Sequence, residues 1–278
     1  MGEKIVVGVA AAPVAVRTVD WAARRAAALG QELELLTIVG GAIGSVGEDS
    51  IVEGAHEAAA RMLQQHAERA QTAGASVTTR VERGNPVAVL VEASAESGLL
   101  VIGSDFGGPD APPRGAHGIR ITAAAHCPVV VVPDIDVEGR SGVVVGTDGS
   151  DVSADAVRFA AAEASRLGEP LTAVSVWTPM PIPGPISGYP EPYLDGMQDV
   201  TAEILRNALV EVRAEHPDLQ IIEQVECGYP STVITGLAEN ARLAVVGSHG
   251  RGAIARLLLG SISHEVLARL ATVTAILR

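Results

Sequence analysis

The chain has 278 residues, of which 47% are hydrophobic and 19% charged, and carries a net charge of −13. That composition supplies packed cores and excludes a disordered chain. The acidic balance and 3% aromatic content exclude a binder of nucleic-acid backbones or unpaired bases. Met1-Gly2-Glu3-Lys4 leads directly into an apolar run at 5–8, without the long apolar segment of a secretory signal. At a typical domain size of about 150 residues, a chain of this length is read as roughly two domains.

In chain order, the first strand is Ile5-Val6-Val7-Gly8. The turn signal Gly84-Asn85-Pro86 follows, then the run Val101-Ile102-Gly103-Ser104-Asp105-Phe106-Gly107-Gly108, Gly115-Ala116, and a last strand at 129–132. From residue 143 the order begins again. Strands are predicted at Val143–Gly146, 171–176, 220–225, 243–246 and Val273–Leu277. Helices between them are predicted at 153–167, with Val157, Ala160, Ala164 and Leu167 inward, and at 201–215, with Ile204, Leu205, Ala208 and Val212 inward. A third helix starts around Pro230 and presents Val233, Ile234, Leu237 and Ala241, and a fourth covers 261–270.

The two halves repeat one plan. Gly8 pairs with Gly146 at an offset of 138, whereas Gly84 pairs with Gly228 and Gly103 with Gly247 at 144. The six extra residues fall in a Pro-rich insertion at 178–197, expected to be extended and irregular. It reads first as a surface loop; the functional alternative is a cover departing from Val176-Trp177, with Tyr189 and Tyr193 available to a partner. The alternation predicts an α/β protein built of two tandem, doubly wound, five-stranded parallel-sheet domains of Rossmann-like type, 1–138 and 142–278.

In such sheets ligands lie beyond the carboxyl ends of the strands, where the strand order reverses. In the second half, Asp148 follows the first strand, and Val245-Val246-Gly247-Ser248-His249-Gly250-Arg251-Gly252 ends the fourth. Gly250 and Gly252 are expected to take positive φ and bring backbone close to a ligand. Gly260-Ser261 opens a helix whose unpaired amides favour an anion. The chain contains no Gly-Lys pair, so the phosphate loop is not of the Walker type.

Gly247, Gly250, Gly260 and Ser261 satisfy the pattern of glycine, two residues, glycine, nine residues, glycine, then serine or threonine. On that motif and the tandem repeat, the chain resembles the universal stress proteins over essentially its whole length. The resemblance implies that Asp148, beside Thr147, contacts ribose or adenine and that Val176 meets the adenine. It places Ser261 and Ser263 on phosphate oxygens and Arg251 nearby, with Gly247, His249, Gly250, Gly252 and Gly260 completing the site. The implied ligand is ATP, with Mg2+ as an accompanying ion.

The first half departs from the pattern, with Ala10 for the acid, Phe106 for the second glycine and Ala116 for the serine. Phe106 is expected to obstruct phosphate, and Pro109, Pro112 and Pro113 to prevent the same turn, so no nucleotide is expected there. That domain is expected to be a structural partner of the second. The strands 129–132 and Val273–Leu277 would pair, as the family's dimers do, and a homodimer of whole chains stays open.

The seven histidines show no metal-ligand spacing, and Cys127 and Cys227 form no motif, which favours reduced thiols in a cytoplasm. No apolar stretch reaches the roughly 18 residues of a membrane span. The leading functional expectation is an ATP-binding stress-response or regulatory module. The alternatives are a slow ATP hydrolase using Asp148, His249 or Arg251, and a nucleotide-free interaction scaffold.

Overall fold

A computed structural model of the chain describes residues 4–40, 48–104, 116–180, 188–250 and 259–278, leaving aside the side chains of 48–52 and 116. Met1–Ile135 and Asp136–Arg278 form two compact units. The first contains β1 (Lys4–Gly8), α1 (Val14–Leu29), β2 (Glu32–Val39), α2 (Glu48–Thr72), β3 (Ser76–Arg83), α3 (Pro86–Ser94), β4 (Leu99–Ser104), α4 (Ala116–Ala124) and β5 (Val129–Pro133). The second contains β6 (Val143–Gly146), α5 (Asp151–Leu167), β7 (Leu171–Trp177), α6 (Glu191–Ala208), α7 (Val210–Glu215), β8 (Ile221–Cys227), α8 (Pro230–Ala238), β9 (Leu243–Gly247), α9 (Ser261–Arg269) and β10 (Val273–Leu277).

Within each unit the strands are parallel, in the order β3-β2-β1-β4-β5 and β8-β7-β6-β9-β10. A parallel sheet covered on both faces needs strands that are apolar throughout. Strand β6 meets that need with Val143, Val144 and Val145, all within 4% of complete burial. The outer strands differ: β3 carries Arg80, Glu82 and Arg83, and β8 carries Glu223, Gln224 and Glu226. Charge on an edge strand discourages pairing with foreign strands.

Helix α5 shows how sequence sets a boundary. Ser150 caps it by accepting a hydrogen bond from the Ser153 amide at 3.3 Å, a contribution of about 1 kcal/mol. Asp151 lies in the first turn, where the helix dipole favours an acid. Gly168 ends the helix at φ 67°, a left-handed conformation that a residue without a Cβ adopts cheaply. Between them Ala156, Val157, Ala160, Ala161 and Ala164 are fully buried. Small alanines let the helix axis lie close to the sheet.

Two expectations are corrected by the structure. The insertion is not irregular to its end, because α6 begins at Glu191, ten residues before the expected start at Thr201. Pro192 sits in its first turn, where a missing amide costs no hydrogen bond. The helix also breaks at Leu209 and restarts as α7, so the single helix 201–215 does not form. Leu205, Leu209 and Val212 are buried there, whereas Ile204 and Ala208 are only half-buried. Pro181, Pro183, Gly184 and Pro185 of the insertion lie outside the described residues. Among the described residues, no helix is long and apolar enough to cross a membrane.

Candidate functional site

A crevice of about 200 Å³ opens where β6 and β9 end side by side, at the reversal of strand order in the second unit. Thr147, Asp148, Val176, Gly247, His249, Gly250 and Ser263 of the expected site all line it. Gly260 and Ser261 are adjacent on the chain to this lining without forming it, and Arg251 and Gly252 lie outside the described residues.

The turn after β6 fixes the acid. The Thr147 amide donates to the Val174 carbonyl at 2.9 Å, which ties the turn to β7. Asp148 Oδ1 then accepts from the Ser150 amide at 3.0 Å and from Ser150 Oγ at 2.6 Å. Gly149 between them has φ 76°, the one place in this turn where positive φ calls for glycine. Thr147 Oγ1 and Ser153 Oγ lie 3.1 Å apart, so α5 is pinned to the same turn.

Glycines around the crevice act through lack of bulk. A Cβ on Gly146 would lie 2.5 Å from Ile234 Cδ1, whose side chain lines the crevice. On Gly247 it would meet Val152 Cγ1 at 3.0 Å and the His249 carbonyl at 3.3 Å. On Gly250 it would overlap the Asp148 carboxylate, and on Gly260 it would press on the Ser248 carbonyl and His249 Cα, each at 3.2 Å. Gly250 does not adopt the positive φ expected of it, and neither do Gly247 and Gly260. Close approach of the Asp148 turn is what excludes a side chain at 250.

Ser248 holds both ends of the loop that follows β9. Its amide donates to the Leu277 carbonyl at 2.6 Å, and its carbonyl accepts from the Gly260 amide at 2.7 Å. Its hydroxyl lies 2.9 Å from His249 Nδ1. The Gly260 amide is therefore engaged. The amides of Ser261, Ile262 and Ser263 in the first turn of α9 meet no acceptor among the described residues, which leaves donors and the positive end of the helix dipole facing outward. Ser263 is 3% exposed and donates its hydroxyl to the Gly247 carbonyl at 2.5 Å. A ligand there would meet it as an acceptor or displace that bond.

A second group, not anticipated from the sequence, joins the crevice walls. Glu265 on α9 accepts from Ser231 Oγ at 2.6 Å and from the Tyr229 hydroxyl at 3.1 Å, both at the start of α8. The Ser231 hydrogen bond is the main influence holding the Glu265 carboxyl below its ordinary value, and the Glu265 contact raises the Tyr229 phenol. Pro230 and Ile234 of α8 are thereby held opposite Ile262 and Ser263 of α9. The signal for this tie is a contact between residues 34 positions apart, invisible to local patterning. Among the described residues, no group of His, Cys, Asp and Glu is placed to hold a metal ion.

In the first unit, the expectation that Phe106 obstructs the equivalent space falls on residues outside the described ones. A cavity of about 260 Å³ lies at the ends of β1 and β4. Phe106, Gly107, Gly108, Gly115 and the prolines 109, 112 and 113 lie outside the described residues. Ala10 does line the cavity in the position of Asp148, so among the described residues no carboxylate lines it.

The Universal stress protein family model matches residues 1–133 and again 140–278. A universal stress protein of Mycobacterium tuberculosis is 31% identical over 95% of this chain and 91% of its own length. Another, of Mycolicibacterium smegmatis, is 30% identical over 94% and 92%. The crystal structure of a universal stress protein from Archaeoglobus fulgidus superposes with a TM-score of 0.71 at 18% identity, over 98% of this chain and 95% of that one; at that identity it speaks for the fold alone. The chain belongs to the universal stress protein family and carries two copies of the family's domain.

Proposed function

We propose that the chain is an ATP-binding stress-response or regulatory module whose nucleotide is held by the second unit. The observation that carries this reading is the convergence of the Asp148 turn, the Gly247 to Gly250 backbone and the open amides of α9 on one crevice. Base and ribose would occupy the crevice between Val174, Val176 and Ile234, with the ribose hydroxyls toward Asp148. The phosphates would run across the α9 N-terminus, where Ser261 is exposed and the dipole favours negative charge. Arg251 would add positive charge. A magnesium ion would accompany the triphosphate and offset part of its charge.

Two features favour holding the nucleotide over hydrolysing it. His249 is engaged by Ser248 and Asp148 by Ser150, so both groups are committed to shaping the site. A bound nucleotide would act by changing the relative stability of conformations or assemblies. Within each unit β5 and β10 are the terminal strands beside β4 and β9, and their mostly apolar sequences suit pairing of the two domains or, alternatively, of two chains. A cytoplasmic location is part of the same reading, resting on two cysteines too few and too far apart in sequence for a disulfide framework. Native mass spectrometry of the freshly purified chain tests the reading. A mass increment equal to one adenine nucleotide, removed by unfolding, is expected; a chain that stays bare after incubation with millimolar ATP contradicts it.

A further inference from the structure

A groove of about 640 Å³ runs between α5 and the α6–α7 pair of the second unit, and every residue that lines it is described. Two helical stripes form its sides: Asp151, Ala154, Asp155 and Arg158 on α5, and Ile204, Asn207, Ala208 and Glu211 on α6 and α7. Both follow the spacing i, i+3, i+4, i+7 that marks one face of a helix. In a packed layer such a face meets a neighbouring helix, ridge into groove. The first unit joins the corresponding helices directly. Asp20 of α1, which stands where Arg158 does at the offset of 138, accepts two hydrogen bonds from Arg69 of α2, at 2.5 and 2.6 Å. In the second unit α6 stops at Ala208 and α7 restarts at Val210, which is left 62% exposed beside the groove.

Ile204, Ala208 and Val210 give the groove an apolar strip, and Asp151, Asp155 and Glu211 give it acidic rims. Arg158 shows what fits between the rims: from α5 it reaches Glu211 of α7 at 3.4 Å and also pairs with Asp155. One guanidinium thus spans both sides. Asp151, toward the other end, has no hydrogen bond or ion pair among the described residues. Three acids against one arginine leave the groove negative, and the whole chain carries −13, so attraction favours a cationic partner. Length favours a helix over a small cation, since Asp151 to Arg158 spans two helical turns, roughly 10 Å. We propose that this groove docks a basic amphipathic helix of another protein, with its apolar residues on Ile204, Ala208 and Val210 and its arginines or lysines on Asp151 and Glu211.

The test uses the full-length chain without nucleotide, so it reads the groove whether or not ATP binds the second unit. The probe is a fluorescein-labelled peptide of about four helical turns, with leucines at the i, i+3, i+4, i+7 spacing and arginines beside them, set against a shuffled peptide of the same composition. Fluorescence anisotropy should show one saturable site for the patterned peptide, at least tenfold weaker binding of the shuffled one, and circular dichroism a gain of helix on binding. Asp151→Asn combined with Glu211→Gln, both at exposed positions, should weaken the patterned peptide at least tenfold. Val210→Glu separates docking from general attraction between opposite charges, because it adds negative charge while removing apolar surface. It should weaken the peptide severalfold, with melting confirming that the variant folds. Equal binding of the two peptides, no saturable site, unchanged affinity in the double variant, or tighter binding by Val210→Glu would each overturn the proposal. So would a homodimer in sedimentation that Val210→Glu disperses, which would assign the groove to a second copy of the chain.

Discussion

The Asp148 carboxylate lies so close to Gly250 that the first carbon of any side chain at 250 would overlap it. The two residues come from turns after different strands, and their contact closes one side of the crevice. Gly250→Ala should therefore push the Asp148 turn aside and weaken ATP at least tenfold, about 1.4 kcal/mol. Gly250→Phe, which copies the residue at the corresponding place of the first half, should abolish binding. Calorimetric titration checks both, with circular dichroism confirming the fold.

Asp148 has a structural part to play as well as a binding one. It accepts two hydrogen bonds from Ser150, and Ser150 in turn caps α5. Asp148→Ala should lower unfolding free energy by about 1 to 2 kcal/mol and also weaken nucleotide binding. Asp148→Asn keeps an acceptor for Ser150, so it should recover most of the stability while leaving nucleotide binding impaired. Chemical denaturation beside titration separates the two effects.

Glu265 reaches both Ser231 and Tyr229, and so holds α8 against α9 across the crevice. Ser231→Ala and Glu265→Gln should each weaken nucleotide binding severalfold through looser walls. Glu265→Gln should also return the Tyr229 phenol toward its ordinary value, since the Glu265 contact is what raises it. NMR titration of the Tyr229 ring reads that shift directly.

In the first unit, burial works to raise the Glu34 carboxyl, and its hydrogen bond from Lys4 and the charge of Arg80 outweigh this, leaving its pKa below the ordinary 4.5. Lys4 Nζ lies 2.7 Å and Arg80 Nε 2.5 Å from the carboxylate oxygens. A carboxyl depressed on folding stabilises the native state above its unfolded pKa, and the gain fades as pH falls from about 4.5 through the lower folded value. Glu34→Gln should cost about 1 to 2 kcal/mol at neutral pH, the partly exposed partners keeping the effect modest. It should also flatten the loss of stability below pH about 4.5, which urea unfolding across that range would show.

Much of the fold was legible because the central strands are continuous apolar runs. Val143 to Val145 and Leu243 to Val246 admit few other readings once Gly146 and Gly247 mark their ends. The start of α6 was hidden because prolines 190 and 192 read as loop, although a proline in the first helical turn is compatible with a helix. The break at Leu209 has no glycine or proline to announce it, and Leu205, Leu209 and Val212 stay buried across it. At the site, spacing located Gly247, Gly250 and Asp148 on one rim, but the positive φ expected of Gly250 does not occur. The close approach of Asp148 to Gly250, and of Val152 and His249 to Gly247, is a packing cause that spacing does not reveal. The tie from Ser231 to Glu265 likewise depends on a contact between distant segments.

Of the two units, only the second should hold an adenine nucleotide. Isothermal titration of the full chain with ATP tests it most directly, through the number of sites. One site per chain, lost in Gly250→Phe and kept in Ala10→Asp, is the predicted result. No heat of binding, or two equivalent sites, would contradict it.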